Sequence, residues 1–235
     1  MRHQADHRMV SSRLDRERGF SLIEMMTALA ITLIVVAGVL ASFTAQSRVQ
    51  LVQDTIAEGQ GNLRAGMELL KRDIRNAGFN LADVNSLTAG NNTGQSATDQ
   101  ITLVSNGLVG EDCIRYQVIN DPQGIPNLFR YANINCGVGN GVPVIPNVDD
   151  FQLAYGWDAN GNNVIDPGEW VNNPAGNEAS VSAIRINLLV RGGRADSTRS
   201  NYRRPAIEDR AAAGATDAFP RRLLTTIVEI RNKGL

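Results

Sequence analysis

The sequence predicts an α+β fold: a long N-terminal helix, membrane-spanning in its first half, packed on an antiparallel β-sheet head. Three observations support this prediction. Apolar residues run almost unbroken from Phe20 to Ala45. A helical apolar pattern then continues to about residue 76. After residue 100 the chain changes to short strand-like segments separated by turn-forming residues, which is typical of a sheet that follows a helix.

Composition excludes several classes of enzyme. The chain has 235 residues, a formal net charge of −1, two cysteines and two histidines. Both histidines, His3 and His7, precede the apolar run, so the rest of the chain offers none for catalysis or metal binding. It also contains no Walker or dinucleotide-binding motif. We therefore predict a structural subunit and not an enzyme. The near-neutral charge gives no support for nucleic-acid binding.

The apolar run is long enough to cross a bilayer, because about 20 apolar residues suffice for a spanning helix. The segment before it is basic, and a basic flank favours the cytoplasmic side. Everything after Arg48 is then predicted to lie outside the cytoplasm. The basic residues of the leading segment are Arg2, Arg8, Arg13, Arg16 and Arg18.

Three interpretations of this run compete. A secretory signal peptide could be cut near Val39–Ala41, but its apolar core is usually about 7–15 residues long. A plain single-span anchor leaves Glu24 unexplained, since a charged residue such as Asp at the centre of a spanning helix costs about 2.5–3.5 kcal/mol. The third interpretation, a prepilin, accounts for both the length and the acid.

The stretch "GFSLIE" resembles the type IV prepilin signature, in which Gly19 ends the leader, Phe20 follows and Glu24 is the fifth mature residue. The resemblance implies that a prepilin peptidase cleaves between Gly19 and Phe20 and that Phe20 is N-methylated. The apolar helix then stays on the mature protein. In a fibre of packed helices, Glu24 can pair with the new amine of a neighbouring subunit, which favours one axial register.

On this reading the chain divides into four parts: a leader at 1–19, a transmembrane and assembly half-helix at 20–46, a periplasmic half-helix at 47–78 and a β-rich head at 79–235. The helix is predicted to run from Phe20 to Asn76, with Gly78 as its C-terminal stop. Three glycines in its middle mark a bend, close packing, or positions tolerated without purpose: Gly59, Gly61 and Gly66. The apolar residues of the second half are Leu51, Ile56, Leu63, Met67, Leu70 and Ile74.

Six segments after the helix are predicted as strands. Alternation is clearest in "AIRINLLVR", where Ile184, Ile186 and Leu188 share one face with Val190. The residues at 80–100 and 192–221 are predicted as loops. The predicted strands are residues 101–105, 113–119, 127–133, 150–157, 181–191 and 222–232.

Several stretches resemble a narrower family, the PilW-like minor pilins. They are "LLKRDIRNAGF" at 69–79, "DCIRYQV" and "LFRY" in the head, "VDDFQLAYGWD" at 148–158 and "TTIVEIRN" at 225–232. The resemblance implies a minor pilin that helps to prime assembly of a type IV pilus. Its partners would be minor and major pilins, the prepilin peptidase and an inner-membrane assembly platform. It would reside in the bacterial inner membrane with its head in the periplasm, and then in the fibre.

Two alternatives stay open. Minor pseudopilins of type II secretion share the same signal and head plan, so the N-terminal motif does not separate them from pilins. A calcium-dependent adhesive or DNA-binding module at the fibre tip is a third interpretation.

The two cysteines, Cys113 and Cys136, would both lie in an oxidising compartment, where cysteines usually pair. Closing a loop of about 24 residues should stabilise the fold by roughly 3 kcal/mol. Two free buried thiols or a redox site are the alternatives, although the spacing is not that of a C-x-x-C motif.

The stretch "DANGNNVIDPGEW" carries oxygen donors at the spacing of an EF-hand-type calcium loop. Asn163 stands where such loops have Gly, and Asn tolerates the left-handed backbone that this position needs. The alternative is a polar hairpin loop without metal, because Asn, Gly and Asp form turns unaided. The candidate ligands are Asp158, Asn160, Asn162, Val164, Asp166 and Glu169.

Residues 191–222 are rich in arginine, and a basic loop could contact a DNA backbone, with Arg203 and Arg204 as test positions. Apart from Tyr202, aromatic residues are scarce among the arginines, so a stacking platform for bases is lacking. We therefore predict a solvated loop and no nucleic-acid partner.

Overall fold

The computed structural model of the chain describes residues 19–79, 81, 86–93, 97–107, 110–133, 141–196 and 199–231. The chain divides into two compact units, residues 1–55 and residues 56–235. One long helix, α1 (Leu22–Asn76), contributes to both.

In the first unit, α1 carries its apolar side chains on the outside. Residues Leu22–Ser47 form a stretch of 26 residues with a mean hydropathy of 2.3, long and apolar enough to span a membrane, and none of it is buried. Ile34 is 73% exposed and Phe43 is 66% exposed. Such a surface needs lipid or other apolar helices around it.

In the second unit, the C-terminal half of α1 buries one face. Leu63, Met67, Leu70 and Ile74 are at most 7% exposed and follow one another at spacings of four, three and four residues. This confirms the predicted apolar face for these four residues; the side chains of Leu51 and Ile56 lie outside the description. Burying a large apolar side chain stabilises a fold by roughly 1.5–3 kcal/mol, so this face holds the helix on the head.

The helix ends where the sequence predicts. Asn76 is its last residue, and Gly78 follows with a φ of 77°. A glycine adopts this left-handed conformation without steric cost, and it is the usual stop signal of a helix. The Gly78 N–H then donates to the Val104 carbonyl at 2.9 Å, so the chain leaves the helix directly against a strand.

The first sheet is an antiparallel meander of five strands in chain order. The predicted segments at 101–105, 113–119 and 127–133 are confirmed as its second, third and fourth strands. The two outer strands are short and were not predicted. The strands are β1 (Leu87–Gly90), β2 (Gln100–Gly107), β3 (Gly110–Asn120), β4 (Pro126–Asn133) and β5 (Val142–Ile145).

The second sheet has four antiparallel strands in the order β7-β6-β8-β9. Ile184, Ile186 and Leu188 face the core together, as predicted, and they lie opposite Tyr155, Leu153 and Phe151. The two-residue β7 was not predicted. The strands are β6 (Val148–Gly156), β7 (Trp170–Val171), β8 (Ala183–Arg191) and β9 (Arg221–Glu229).

Asp99 joins the two sheets. Its backbone N–H donates to the Phe151 carbonyl at 2.8 Å, and its carboxylate accepts from the backbone N–H groups of Asn92 and Leu153 at 2.8 and 2.6 Å. Burial raises the pKa of Asp99 to about 6, although those two donors favour the charged form. Asp99, the residue before β2, therefore holds β6 through one backbone and one side-chain hydrogen bond.

We expect Gly66→Ala to destabilise the protein and Gly61→Ala to stabilise it. A Cβ on Gly66 would collide with Ile145 and lie 2.8 Å from the Val144 carbonyl oxygen, whereas a Cβ on Gly61 meets nothing within 4 Å. Overpacking costs about 1–3 kcal/mol, against about 1 kcal/mol gained from helix propensity. The measurement is the free energy of unfolding of the full chain in detergent. If Gly66→Ala does not lower that free energy, close packing of α1 on β5 at Gly66 is contradicted.

Candidate functional site

The N-terminal end of α1 contains the predicted processing and assembly residues. Gly19 and Phe20 precede the helix, and Phe20 is 85% exposed. Ser21 is the residue before the helix, and Glu24 lies in its first turn. One Glu24 carboxylate oxygen accepts the backbone N–H of Ser21 at 3.1 Å.

This contact is half of a capping box, the Ser-x-x-Glu arrangement that satisfies a free N–H at the start of a helix. The acid also lies where the helix dipole favours negative charge. The Ser-x-x-Glu spacing of Ser21 and Glu24 could have predicted this cap. The sequence prediction gave Glu24 only a contact with a neighbouring subunit.

The polar side chains of the exposed apolar stretch are satisfied within the helix. Thr27 and Thr44 donate to the carbonyls of Glu24 and Ala41 at 3.0 and 2.9 Å. Thr32 donates to Ala28 at 2.7 Å in the same way. Hydroxyls bonded to the preceding turn do not need water, which suits a helix surrounded by lipid or by other helices.

A buried ion pair ties the second half of α1 to the first sheet. The Asp73 carboxylate accepts from the Tyr116 hydroxyl at 2.7 Å and from the Arg130 Nε at 2.6 Å. The side chain of Asp73 is 4% exposed and that of Arg130 is 22% exposed. Burial and the neighbouring Asp73 charge raise the pKa of Tyr116, so the hydroxyl stays a donor. The pair borders a cavity of about 640 Å³ between α1, β2, β3 and β4.

The candidate calcium loop is a polar turn whose acids bind backbone N–H groups. Asp158 accepts from Gly161 and Asn163 at 2.7 Å each. Glu169 accepts from Ala159 and from Asp166 at 2.9 and 2.8 Å. Burial raises the pKa of Asp158, but the backbone donors outweigh it, and the net effect lowers that pKa.

The backbone of this loop agrees with the predicted conformation at one position, since Asn163 has a φ of 63°. Asn160 and Asn162 donate from their amides to the Asp166 carboxylate at 3.0 Å each. Within the described ranges, no three acidic, histidine or cysteine side chains are grouped so as to hold a metal ion. The side chains would have to turn from their present partners before they could converge on a cation.

Cys113 is 3% exposed on β3 and is not a free thiol. Cys136 lies outside the described residues, so the pairing of Cys113 with Cys136 stays a prediction.

The arginine-rich segment is held against the outer face of the second sheet. Asp150 on β6 is fully buried there and pairs with Arg204 at 3.2 Å and with Arg210. Glu208 accepts from Arg185 at 2.8 Å and from Asn187 at 2.6 Å. The segment is therefore not the predicted solvated loop. Arg204 and Arg210 neutralise Asp150 on β6, and Glu208 of the segment neutralises Arg185 on β8.

Arg203 is exposed and donates to the Ala213 carbonyl, whereas Arg204 is 14% exposed and bound to Asp150. An arginine committed to a buried carboxylate cannot also neutralise a phosphate without losing that partner. Arg204 therefore gives no support to the DNA-binding interpretation.

The comparisons with known proteins agree with the N-terminal signature and the fold. Residues 115–232, half of the chain, match the profile of type IV pilus-assembly protein W, and residues 14–40 match the prokaryotic N-terminal methylation motif. The chain belongs to the family of type IV pilus-assembly protein W. No curated protein matches it in sequence.

One solved structure with a similar fold is a type IV-like pilin from Thermus thermophilus. The match has a TM-score of 0.50 and 17% sequence identity, and it covers 75% of this chain and 97% of that chain. It supports a pilin-like fold, with a long N-terminal helix followed by antiparallel sheets.

We expect Asp73→Asn to lower the free energy of unfolding by roughly 3 kcal/mol, because it leaves the half-buried Arg130 without its carboxylate. Glu68→Gln is the matched control, since Glu68 lies on the same helix and pairs with Lys71 at the surface. This control should change nothing measurable, because exposed pairs contribute little. Chemical unfolding of the full chain in detergent provides the measurement; equal effects of both substitutions would refute the role of the buried pair.

Proposed function

We propose that this protein is a minor pilin that primes or supports assembly of a type IV pilus after cleavage between Gly19 and Phe20 and N-methylation of Phe20. The supporting observation is the exposed apolar stretch Leu22–Ser47, which begins two residues after Phe20 and carries Glu24 in its first turn. A helix with this surface is suited first to a membrane and then to the interior of a fibre.

The proposed partners are other minor and major pilins, the prepilin peptidase and the inner-membrane assembly platform. The head, from residue 79 onward, would lie in the periplasm and then at the cell surface. The family match favours a pilus over type II secretion, because the matching profile is that of a pilus-assembly protein.

A deletion strain separates these two functions. We expect loss of sheared surface fibres with protein secretion intact, restored by the wild-type chain. Lost secretion with normal fibres would assign the protein to the minor pseudopilins instead.

We expect Glu24→Ala to block incorporation into fibres while the head stays folded. In the isolated chain, Glu24 is exposed and bonds to the Ser21 N–H in its own helix, so its removal does not disturb the second unit. In the fibre, the carboxylate would pair with the amine of a neighbour's Phe20. Immunoblots of sheared fibres, with membrane fractions as the loading control, measure incorporation.

Ser21→Pro separates the two contacts of Glu24. It removes the backbone N–H that Glu24 accepts but keeps the carboxylate for a neighbour. Normal incorporation of this variant, with loss for Glu24→Ala, is the expected pattern. Equal loss in both variants, with cleavage after Gly19 and methylation of Phe20 intact by mass, would mean that the helix cap, and not a contact between subunits, is what assembly requires.

We also propose that the loop of residues 158–169 binds calcium at the weak affinity of extracellular modules. The spacing of its oxygen donors and the left-handed Asn163 support this. The residues that would hold the ion are Asp158, Asn160, Asn162, Asp166 and Glu169, with the Val164 carbonyl.

Calcium at millimolar concentration should raise the melting temperature of the full chain, and Asp158→Ala should abolish that rise. Asp121→Ala is the matched control, because Asp121 accepts two backbone N–H groups in the turn between β3 and β4. It should lower the melting temperature but keep the response to calcium. A wild-type protein that does not respond would identify the loop as a polar turn only.

A further inference from the structure

A cavity of about 380 Å³ lies where the arginine-rich segment meets both sheets of the head. Its wall includes the end of β8, the start of β9 and the turn between β3 and β4. Its volume is in the range of small-molecule sites, about 300–1,000 Å³. Four arginines line it: Arg191, Arg204, Arg210 and Arg221.

One of these arginines, Arg221, is committed to acids of this chain. It is 10% exposed and binds Asp149 at 2.7 Å and Asp217 at 2.6 Å. The Arg221 hydrogen bonds lower the pKa of Asp217 to about 2, so this carboxylate stays charged at neutral pH. Because one arginine faces two acids, Arg221 has no charge to spare for a ligand.

Arg204 and Arg210 show the opposite balance, since the two share one acid. Both bind the fully buried Asp150, and each does so through Nη1. A guanidinium has five N–H donors on three nitrogens. The other nitrogens of these two arginines have no hydrogen-bond partner among the described residues, so donors remain for a ligand in the cavity.

Arg191 supplies the surplus charge. Its guanidinium stacks on Phe219, 5.0 Å from the ring centre. Among the described residues it has no salt-bridge partner, and its buried Nε has no hydrogen-bond acceptor. It helps to lower the pKa of Asp217, but only from a distance. A half-buried charge and a buried donor that both lack a partner are unfavourable, so this side chain needs an anion.

The local charge selects the kind of anion. Four arginines against three acids leave one positive charge, which a monoanion would neutralise. A phosphate monoester carries about −1.5 to −2 charges at neutral pH, and Asp149 and Asp217 in the same wall would repel the excess. A carboxylate carries one charge, and its two oxygens match the planar fork of a guanidinium.

We propose that this cavity binds a carboxylate between Arg191 and the pair formed by Arg204 and Arg210. Ala215 and Thr216 belong to its wall and are exposed, so the cavity is open to the outside. Two sources can supply the group: a small free carboxylate, or an acidic side chain of a neighbouring subunit.

The melting temperature of the full chain in detergent tests the site, with sodium acetate as the probe and sodium chloride at equal ionic strength as the reference. Acetate should raise the melting temperature in a saturable way, because a ligand that binds only the folded state stabilises it. Arg191→Gln should abolish this rise, and Arg191→Lys, which keeps the charge, should retain part of it. Arg194→Gln is the matched control, because Arg194 is an exposed arginine outside the cavity wall. It should respond like the wild type.

Two results would overturn the proposal. One is a wild-type melting temperature that rises no more in acetate than in chloride. The other is an equal rise in the wild type and in Arg191→Gln, because exclusion of acetate from the protein surface stabilises all variants alike.

Fibre incorporation then separates the two sources. If an acidic side chain of a neighbour fills the cavity, Arg191→Gln should be depleted from sheared fibres relative to Arg194→Gln. Equal incorporation of both, with the acetate response present, assigns the site to a free carboxylate. The acetate measurement needs no fibre, so its failure is distinct from failure of the proposed assembly function.

Discussion

The head depends on a buried carboxylate, that of Asp73, which fixes the end of α1 to the first sheet. The apolar face of the helix supplies most of the burial energy, but apolar contacts alone do not select one position along the helix axis. Asp73 does, because it binds Tyr116 on β3 and Arg130 on β4 at the same time. Two turns earlier, Gly66 lets the helix approach β5 closely. One polar and one steric contact therefore define how the helix lies on the sheet.

The main elements could be predicted from the sequence because each has its own periodicity. The apolar residues from Leu63 to Ile74 predicted the buried helix face, and Gly78 predicted its end. The six longer strands were predicted by alternation and by the turns between them. The short strands β1, β5 and β7 were missed, because two to four residues carry no measurable period and form strands only through their partners.

Long-range contacts explain the other differences from the sequence predictions. Asp99 joins the two sheets through Phe151 and Leu153 on β6, which lie more than fifty residues later in the chain. The segment at 192–220 is fixed by Arg204 and Arg210 binding Asp150, more than fifty residues earlier in the chain. Charge pairs between residues so far apart leave no periodic pattern in the local sequence, so they could not be predicted from it. The contact between Ser21 and Glu24, in contrast, follows a known spacing and could have been predicted.

The N-terminal helix connects the fold to the proposed function. In the first unit, the helix exposes apolar side chains whose contact with water is unfavourable, and its threonine hydroxyls bond to carbonyls of the preceding turn. In the second unit, the helix buries one apolar face against the sheets. The methylation motif at residues 14–40 covers the start of the exposed stretch, and this combination is the reason for proposing a subunit that moves from membrane to fibre.

Intact-mass and N-terminal analysis of the chain from membranes and sheared fibres is the most direct test of that claim. The account predicts a mature chain that begins at Phe20 and carries one added methyl group. An uncleaved chain, or one that begins after Ala41, would contradict it and would favour a plain anchor or a secretory signal peptide.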